Sequence, residues 1–195
     1  DQPKDLGHFG TKHGWKYLLK GIEATQEFLQ QQFSDLPLFF LGHSMGSFAT
    51  LSYLEQEMIK TNLHSNGLKL AGVILSGSTQ NPWYLDRSLH LLARFETWRQ
   101  GQFGQSPIIN ALTFKSFNRK FKPTRTSVDW LSRDQASVDK YVQDPLCGKQ
   151  SSNKSWMDFA DGLIHTFKRN NLKKLPQVPF LLVSGDQDPL SDHGG

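Results

Sequence analysis

Leu36-Pro37-Leu38-Phe39-Phe40-Leu41-Gly42-His43-Ser44-Met45-Gly46-Ser47-Phe48 is the stretch on which the reading of the chain turns. Leu36 to Leu41 is a short continuous apolar run, the pattern of a strand buried on both faces. Gly42-x-Ser44-x-Gly46 follows at once, and a helical pattern then runs over Ser47–Lys60, with Phe48, Leu51, Leu54 and Met58 on one side. With 16 glycines in the chain the five-residue string alone carries little weight. Its context carries it, because a serine on a strained strand-to-helix turn needs a strand directly before it and a helix directly after. Ser44 is therefore the expected nucleophile. The Met45 backbone N–H falls at the helix N-terminus, where free donors and the helix dipole can stabilise an oxyanion. On so sharp a turn successive side chains diverge, so His43 is expected to pack among its strand surroundings rather than act as base.

Outward from this point the chain alternates. Trp15, Leu18, Leu19, Ile22, Leu29 and Phe33 recur at helical spacing and predict a helix over Gly14–Phe33. Leu70–Leu75 reads as a second buried strand after the Asn66-Gly67 turn. Strand, helix, strand within about forty residues requires a right-handed crossover and a parallel sheet. From Asn81 to about Asn171 the pattern is helical: Asp86–Gln100 (with Leu89, Leu92, Phe95 and Trp98), Ser106–Phe117, Ser132–Val142 and Asn153–Arg169. Strand texture returns over Val178–Ser184. The fold class expected is α/β, with residues 1–80 and 172–195 forming a sheet core and 81–171 a helical cap inserted over one edge.

Composition bounds the chemistry. The chain has 195 residues, is 37% hydrophobic and holds one cysteine, Cys147, so no intrachain disulfide and no multi-Cys zinc site is possible within it. No apolar run approaches the ~18 residues of a membrane span. A lone free cysteine fits a reducing cytoplasm. The net charge is +4, from 22 Lys+Arg against 18 Asp+Glu. Its densest stretch, Arg119, Lys120, Lys122 and Arg125, reads first as a solvated face and second as a contact for anionic ligands or membrane headgroups. No nucleic-acid motif accompanies it, so nucleic acid is not an expected partner.

A serine nucleophile of this kind takes its acid from a loop after a later strand. Asp186 and Asp188 both follow Val178–Ser184, where open parallel sheets place ligand-binding groups. Asp188 is favoured because it lies three residues beyond Gly185, which leaves the strand end room to turn it towards the serine; Asp186 is the alternative. The base is harder to find. Of the seven histidines (His8, His13, His43, His64, His90, His165 and His193), only His193 follows Asp188, and it lies too close to the acid. His165 falls on a helix of the insertion.

With serine turn, acid loop and helical insertion in place, the sequence resembles the alpha/beta-hydrolase superfamily. Within it the chain is similar to the bacterial lysophospholipase and monoacylglycerol-lipase-like branch, often called serine aminopeptidase-like. The matching stretches are Asp5–Phe9, Leu36–Phe48, Ser116–Asp134, Val138–Gly148 and Leu181–Pro189. The resemblance implies Ser44 as nucleophile, Asp188 as acid, and hydrolysis of carboxylic esters, namely lysophospholipid or monoacylglycerol, through an acyl-enzyme without metal or organic cofactor. It also implies a histidine and a second oxyanion donor. Gly7–Gly10 reads as a loop into the first helix rather than that donor. The expected chain is thus an internal fragment of a larger enzyme, missing outer strands and the histidine loop, poorly active alone and prone to aggregate through exposed sheet edges. A binding module that has lost catalysis, and an aminopeptidase with the same triad, are the alternatives. Aromatic residues of the insertion (Phe95, Trp98, Phe103, Phe114, Trp130 and Trp156 among them) would suit an acyl chain, although most are expected to form the cap's own core.

Overall fold

The computed structural model describes residues 6–56 and 70–190. Three parallel strands, β1 (Leu38–His43), β2 (Leu70–Ser76) and β3 (Phe180–Val183), form one sheet in the order β1-β2-β3. Phe40 aligns with Val73 and Leu41 with Ile74; across β2, Leu75 aligns with Leu182 and Ser76 with Val183. The fold is the parallel, partial alpha/beta-hydrolase sheet that the sequence predicts.

Helix α1 (Gly14–Gln32) and helix α2 (Met45–Leu54) form the core with the sheet. Trp15 and Leu19 of α1 meet Phe48, Leu51 and Leu54 of α2 and Val73 and Leu75 of β2. Every residue from Ser47 to Leu54 is buried, so the polar members of α2 need internal partners. They have them: the Trp15 indole N–H donates to Ser52 Oγ at 3.1 Å, Ser52 also bonds Thr166, and the Tyr53 hydroxyl bonds Gln26.

Beyond β2 come α3 (Trp83–Gln100), α4 (Pro107–Leu112), α5 (Phe114–Arg119), a 3₁₀ turn (Asp129–Leu131), α6 (Gln135–Gln143), α7 (Asn153–Thr166) and α8 (Arg169–Leu172). Helix α7 is capped by Ser152, whose hydroxyl accepts from Ser155 N. It packs against α3 and also against α1 and α2, carrying Leu163 and Phe159 into the sheet-side core. Close passage there demands a glycine: a Cβ on Gly162 would sit 2.5 Å from the Trp15 ring. Phe114, Phe117, Trp130 and Trp156 stack on one another between α5, the 3₁₀ turn and α7.

Four sequence expectations are corrected. Strand β1 is covered on one face only: Phe39 (58% exposed) and Leu41 (68%) look away from α1 and α2, because alternate strand side chains point to opposite faces and the helices lie on one. Helix α2 starts at Met45 rather than Ser47, since Ser44 already occupies the cap position; residues 57–60 of the predicted helix lie outside the described residues. The helix expected over Ser106–Phe117 breaks at Thr113, whose backbone (φ −100°, ψ −100°) is not helical. The row Leu89, Leu92, Phe95, Trp98 is no single buried face: Leu89 and Leu92 turn inwards, Phe95 and Trp98 outwards.

Candidate active site

The three strands end at one edge of the sheet, and their hydrogen bonding continues past the last strand residues. Ser44 N donates to Ser76 O and Gly77 N to Val183 O, each at 2.8 Å. The chain leaving β1 is thereby clamped to the chain leaving β2, and that to β3, at the place where parallel sheets present their loops.

Ser44 stands between β1 and α2 with φ +50° and ψ −121°. A non-glycine residue in that region costs about 1–3 kcal/mol and persists only where its surroundings enforce it. Here they do. Ser44 N is held by Ser76, and Ser44 O accepts from Ser47 N at 2.9 Å and Ser47 Oγ at 2.6 Å. Gly42 makes the turn sterically possible, because a Cβ there would sit 2.6 Å from Gly46 O, 2.7 Å from Ser47 Cα and 2.8 Å from Thr50 Oγ1. Gly46 differs: nothing lies within 4 Å of a Cβ placed on it. Close backbone approach is therefore the work of Gly42, not of both glycines. Ser44 itself is half-buried. Met45 opens α2, whose first-turn N–H groups have no acceptor within the helix.

The two candidate acids are separated by their partners. Asp186 is exposed and bound by Arg133, which lies between the 3₁₀ turn and α6 and whose Nη2 donates to both carboxylate oxygens at 2.8 and 2.9 Å. The Arg133 hydrogen bond holds the Asp186 carboxyl below its usual range. Asp188 is half-buried in the same loop, where its backbone N donates to Gly185 O at 3.1 Å. Its Oδ1 accepts from Leu190 N at 2.9 Å and its Oδ2 from the Ser184 hydroxyl at 3.4 Å. That Oδ2 comes within 3.4 Å of a Cβ built on Gly77, as does His43 Cε1, so carboxylate and imidazole converge on the backbone at the end of β2. His43 Nδ1 bonds Ser76 Oγ at 3.1 Å.

Two of the other described histidines are bonded elsewhere. His8 Nδ1 bonds Ser152 Oγ at 2.8 Å, and His90 Nε2 lies 3.2 Å from Asp161. His13 precedes α1. His165 lines a cavity of about 950 Å³ between α1, the C-terminal end of α2 and α7; burial, then Lys168 and Lys174, hold its pKa down. His64 and His193 lie outside the described residues. The cavity does not include Ser44. It does include Glu55, buried, with no hydrogen-bond partner on either carboxylate oxygen among the described residues. Neither Glu55 nor the Arg133–Asp186 tie carries a local sequence signal. Among the described residues, no group of three or more His, Cys, Asp or Glu side chains is placed to hold a metal ion.

Among solved structures, a thermostable carboxyl esterase from Bacillus coagulans in complex with glycerol superposes with a TM-score of 0.76 at 23% identity, over 95% of this chain and 57% of that one. A lipase in its open form gives 0.73 at 21%, over 93% and 57%. This chain thus spans under three-fifths of these neighbours, and at such identities the likeness speaks for the fold. No curated protein matches the sequence. The family Hydrolase_4, described as serine aminopeptidase, S33, matches over residues 2–195, nearly the whole chain. The chain belongs to this family of alpha/beta hydrolases.

Proposed function

We propose that this chain carries the nucleophile and acid of a serine hydrolase acting on carboxylic esters, with lysophospholipid or monoacylglycerol as the substrate class. The single observation that supports it most is the backbone of Ser44, held in a left-handed conformation between a parallel strand and a helix N-terminus. Strain of this kind lifts the hydroxyl clear of the strand end while the Met45 N–H points at the position an oxyanion would take.

In this mechanism Ser44 Oγ attacks the ester carbonyl and passes its proton to a base. The Met45 N–H donates to the tetrahedral oxyanion, whose collapse re-forms the carbonyl and expels the alcohol with that proton; water, deprotonated by the same base, then displaces the carboxylic acid from the acyl-serine and the proton returns to Ser44 Oγ. Asp188 orients and stabilises the base as its imidazolium forms. The commitment of Asp186 to Arg133 favours Asp188 for this part. Because His8 and His90 are bonded elsewhere, His165 lines a cavity that excludes Ser44, and His43 is tied to Ser76, the base comes from outside the described residues. With no base found among the described residues and His193 too close to Asp188 in sequence, we expect the 195-residue chain by itself to turn over slowly.

The family description favours one second reading, an aminopeptidase using the same serine. Both readings are tested by covalent labelling with a fluorophosphonate, followed by turnover of a short p-nitrophenyl ester against an aminoacyl p-nitroanilide. In a protein spanning the length of the structural neighbours, labelling lost in Ser44→Ala together with preferred ester turnover supports the proposal. Preferred anilide turnover favours the peptidase, and labelling that survives Ser44→Ala refutes both.

A further inference from the structure

Helix α3 is packed inside out. Its buried side, against α7, carries both of its acids, Asp86 and Glu96, with Ala93 between them. Those acids are satisfied internally: Asn81 Nδ2 donates to Asp86 at 3.2 Å, and Arg99 donates to Glu96 through Nε at 2.9 Å and Nη2 at 2.8 Å. On the outer side, Tyr84, Leu91, Phe95 and Trp98 follow one another at steps of seven, four and three residues, a single stripe at the helical period. All four are exposed, Trp98 at 80%, and Trp83 beside them at 70%. Arg87 and Arg94 flank the stripe, and the Arg87 guanidinium lies 5.2 Å from the Trp83 ring centre.

The outer face thus combines three aromatic types, a leucine and arginines, with no acid. Aromatic rings seat at the boundary between headgroups and acyl chains, while arginine stems run along the apolar surface and place their charge on phosphates. A helix with that division lies in the plane of a bilayer surface. Among the described residues no helix is long and apolar enough to cross a membrane, so α3 would lie on it rather than span it. Charge decides the occupant: a second copy docked on this face would set arginines against arginines, whereas an anionic bilayer neutralises them.

We propose that the outer face of α3, built on Tyr84, Leu91, Phe95, Trp98, Arg87 and Arg94, is a docking surface for anionic phospholipid bilayers. The proposal deepens the lipid-ester reading above and rests on it for its purpose, but its test does not depend on hydrolysis.

The test is co-sedimentation of the full 195-residue Ser44→Ala chain with vesicles of phosphatidylcholine alone or with about one-third phosphatidylglycerol. Binding to the mixed vesicles, weakened by salt and about tenfold weaker in Trp98→Ser or Phe95→Ser, is the expected result. Arg87→Gln/Arg94→Gln should remove most of the preference for the anionic lipid. These sites are exposed, so circular dichroism should be unchanged, and Ser44 labelling in the otherwise native chain unchanged too. Vesicle binding that is absent, or indifferent to the α3 substitutions, overturns the proposal while leaving the labelling result untouched. Concentration-dependent dimers abolished by the same substitutions would assign the face to a second copy and also overturn it. Absence of Ser44 labelling in a protein spanning the length of the structural neighbours, with vesicle binding intact, overturns the enzyme reading alone.

Discussion

Replacing Glu55 by glutamine should stabilise the protein in alkaline solution and do little in acid. Glu55 closes α2, is 4% exposed, and has no hydrogen-bond partner on either oxygen among the described residues. Burial pushes its carboxyl up from 4.5 to about 8, with Lys174 pulling modestly the other way. The folded state therefore binds this proton more tightly than the unfolded chain. Below the unfolded value both states are protonated and stability does not depend on this group's ionisation; as pH rises from there the unfolded chain releases the proton while the folded state keeps it, so stability falls until about pH 8, above which the group ionises in both states and the loss is complete. At about 1.4 kcal/mol per pKa unit, the displacement sets a ceiling of roughly 5 kcal/mol. Glutamine removes the charge and leaves a buried amide without partners, a cost much like that of the equally unpartnered protonated carboxyl it replaces, so the two nearly cancel in acid. The net expectation is a variant close to or slightly below the native chain near pH 5 and about 2 kcal/mol more stable near pH 9. Urea unfolding followed by far-ultraviolet circular dichroism at both pH values measures it. A stability difference that does not change with pH, or one that turns against glutamine in alkali, would refute the reasoning, since it would mean that Glu55 is ionised and paired in the folded state.

Two further substitutions probe the strand-end turn and the acid loop. Gly42→Ala drives a methyl group to within 2.6–2.8 Å of Gly46 O, Ser47 Cα and Thr50 Oγ1, so it should cost about 1–3 kcal/mol and slow Ser44 labelling; unchanged labelling would show that the turn tolerates a side chain. Asp188→Asn should slow labelling of the longer protein by a factor on the order of 10³–10⁴. Asp186→Asn should leave labelling nearly unchanged, since it removes only an exposed, solvent-screened ion pair. A reversed pattern in labelling rates would hand the acid role to Asp186.

What could be read in advance was local. Strand, glycine turn, serine and helix lie within thirteen consecutive residues, and each demands the next, so the fold class follows from that stretch and the proposal for Ser44 starts from it. The apolar run of β1 could not show which face is covered, because Phe39 and Leu41 are as hydrophobic as Leu38 and Phe40; only the position of α1 and α2 decides. Spacing after Gly185 favours Asp188 over Asp186, but the partner that separates them in the fold, Arg133, lies more than fifty residues earlier. Glu55 falls inside the helix predicted over Ser47–Lys60 with nothing to mark it, yet it lines the cavity shared with α1 and α7. In α3 the apolar spacing was visible while its direction was not: periodicity marks a face without saying whether that face looks in or out.

The role of Ser44 is tested most directly by fluorophosphonate labelling with mass-spectrometric mapping, on a protein that spans the length of the structural neighbours. One adduct on the peptide carrying Ser44, absent in Ser44→Ala and formed much more slowly by the 195-residue chain alone, is the predicted result. No adduct, or an adduct on another residue that survives Ser44→Ala, would contradict it.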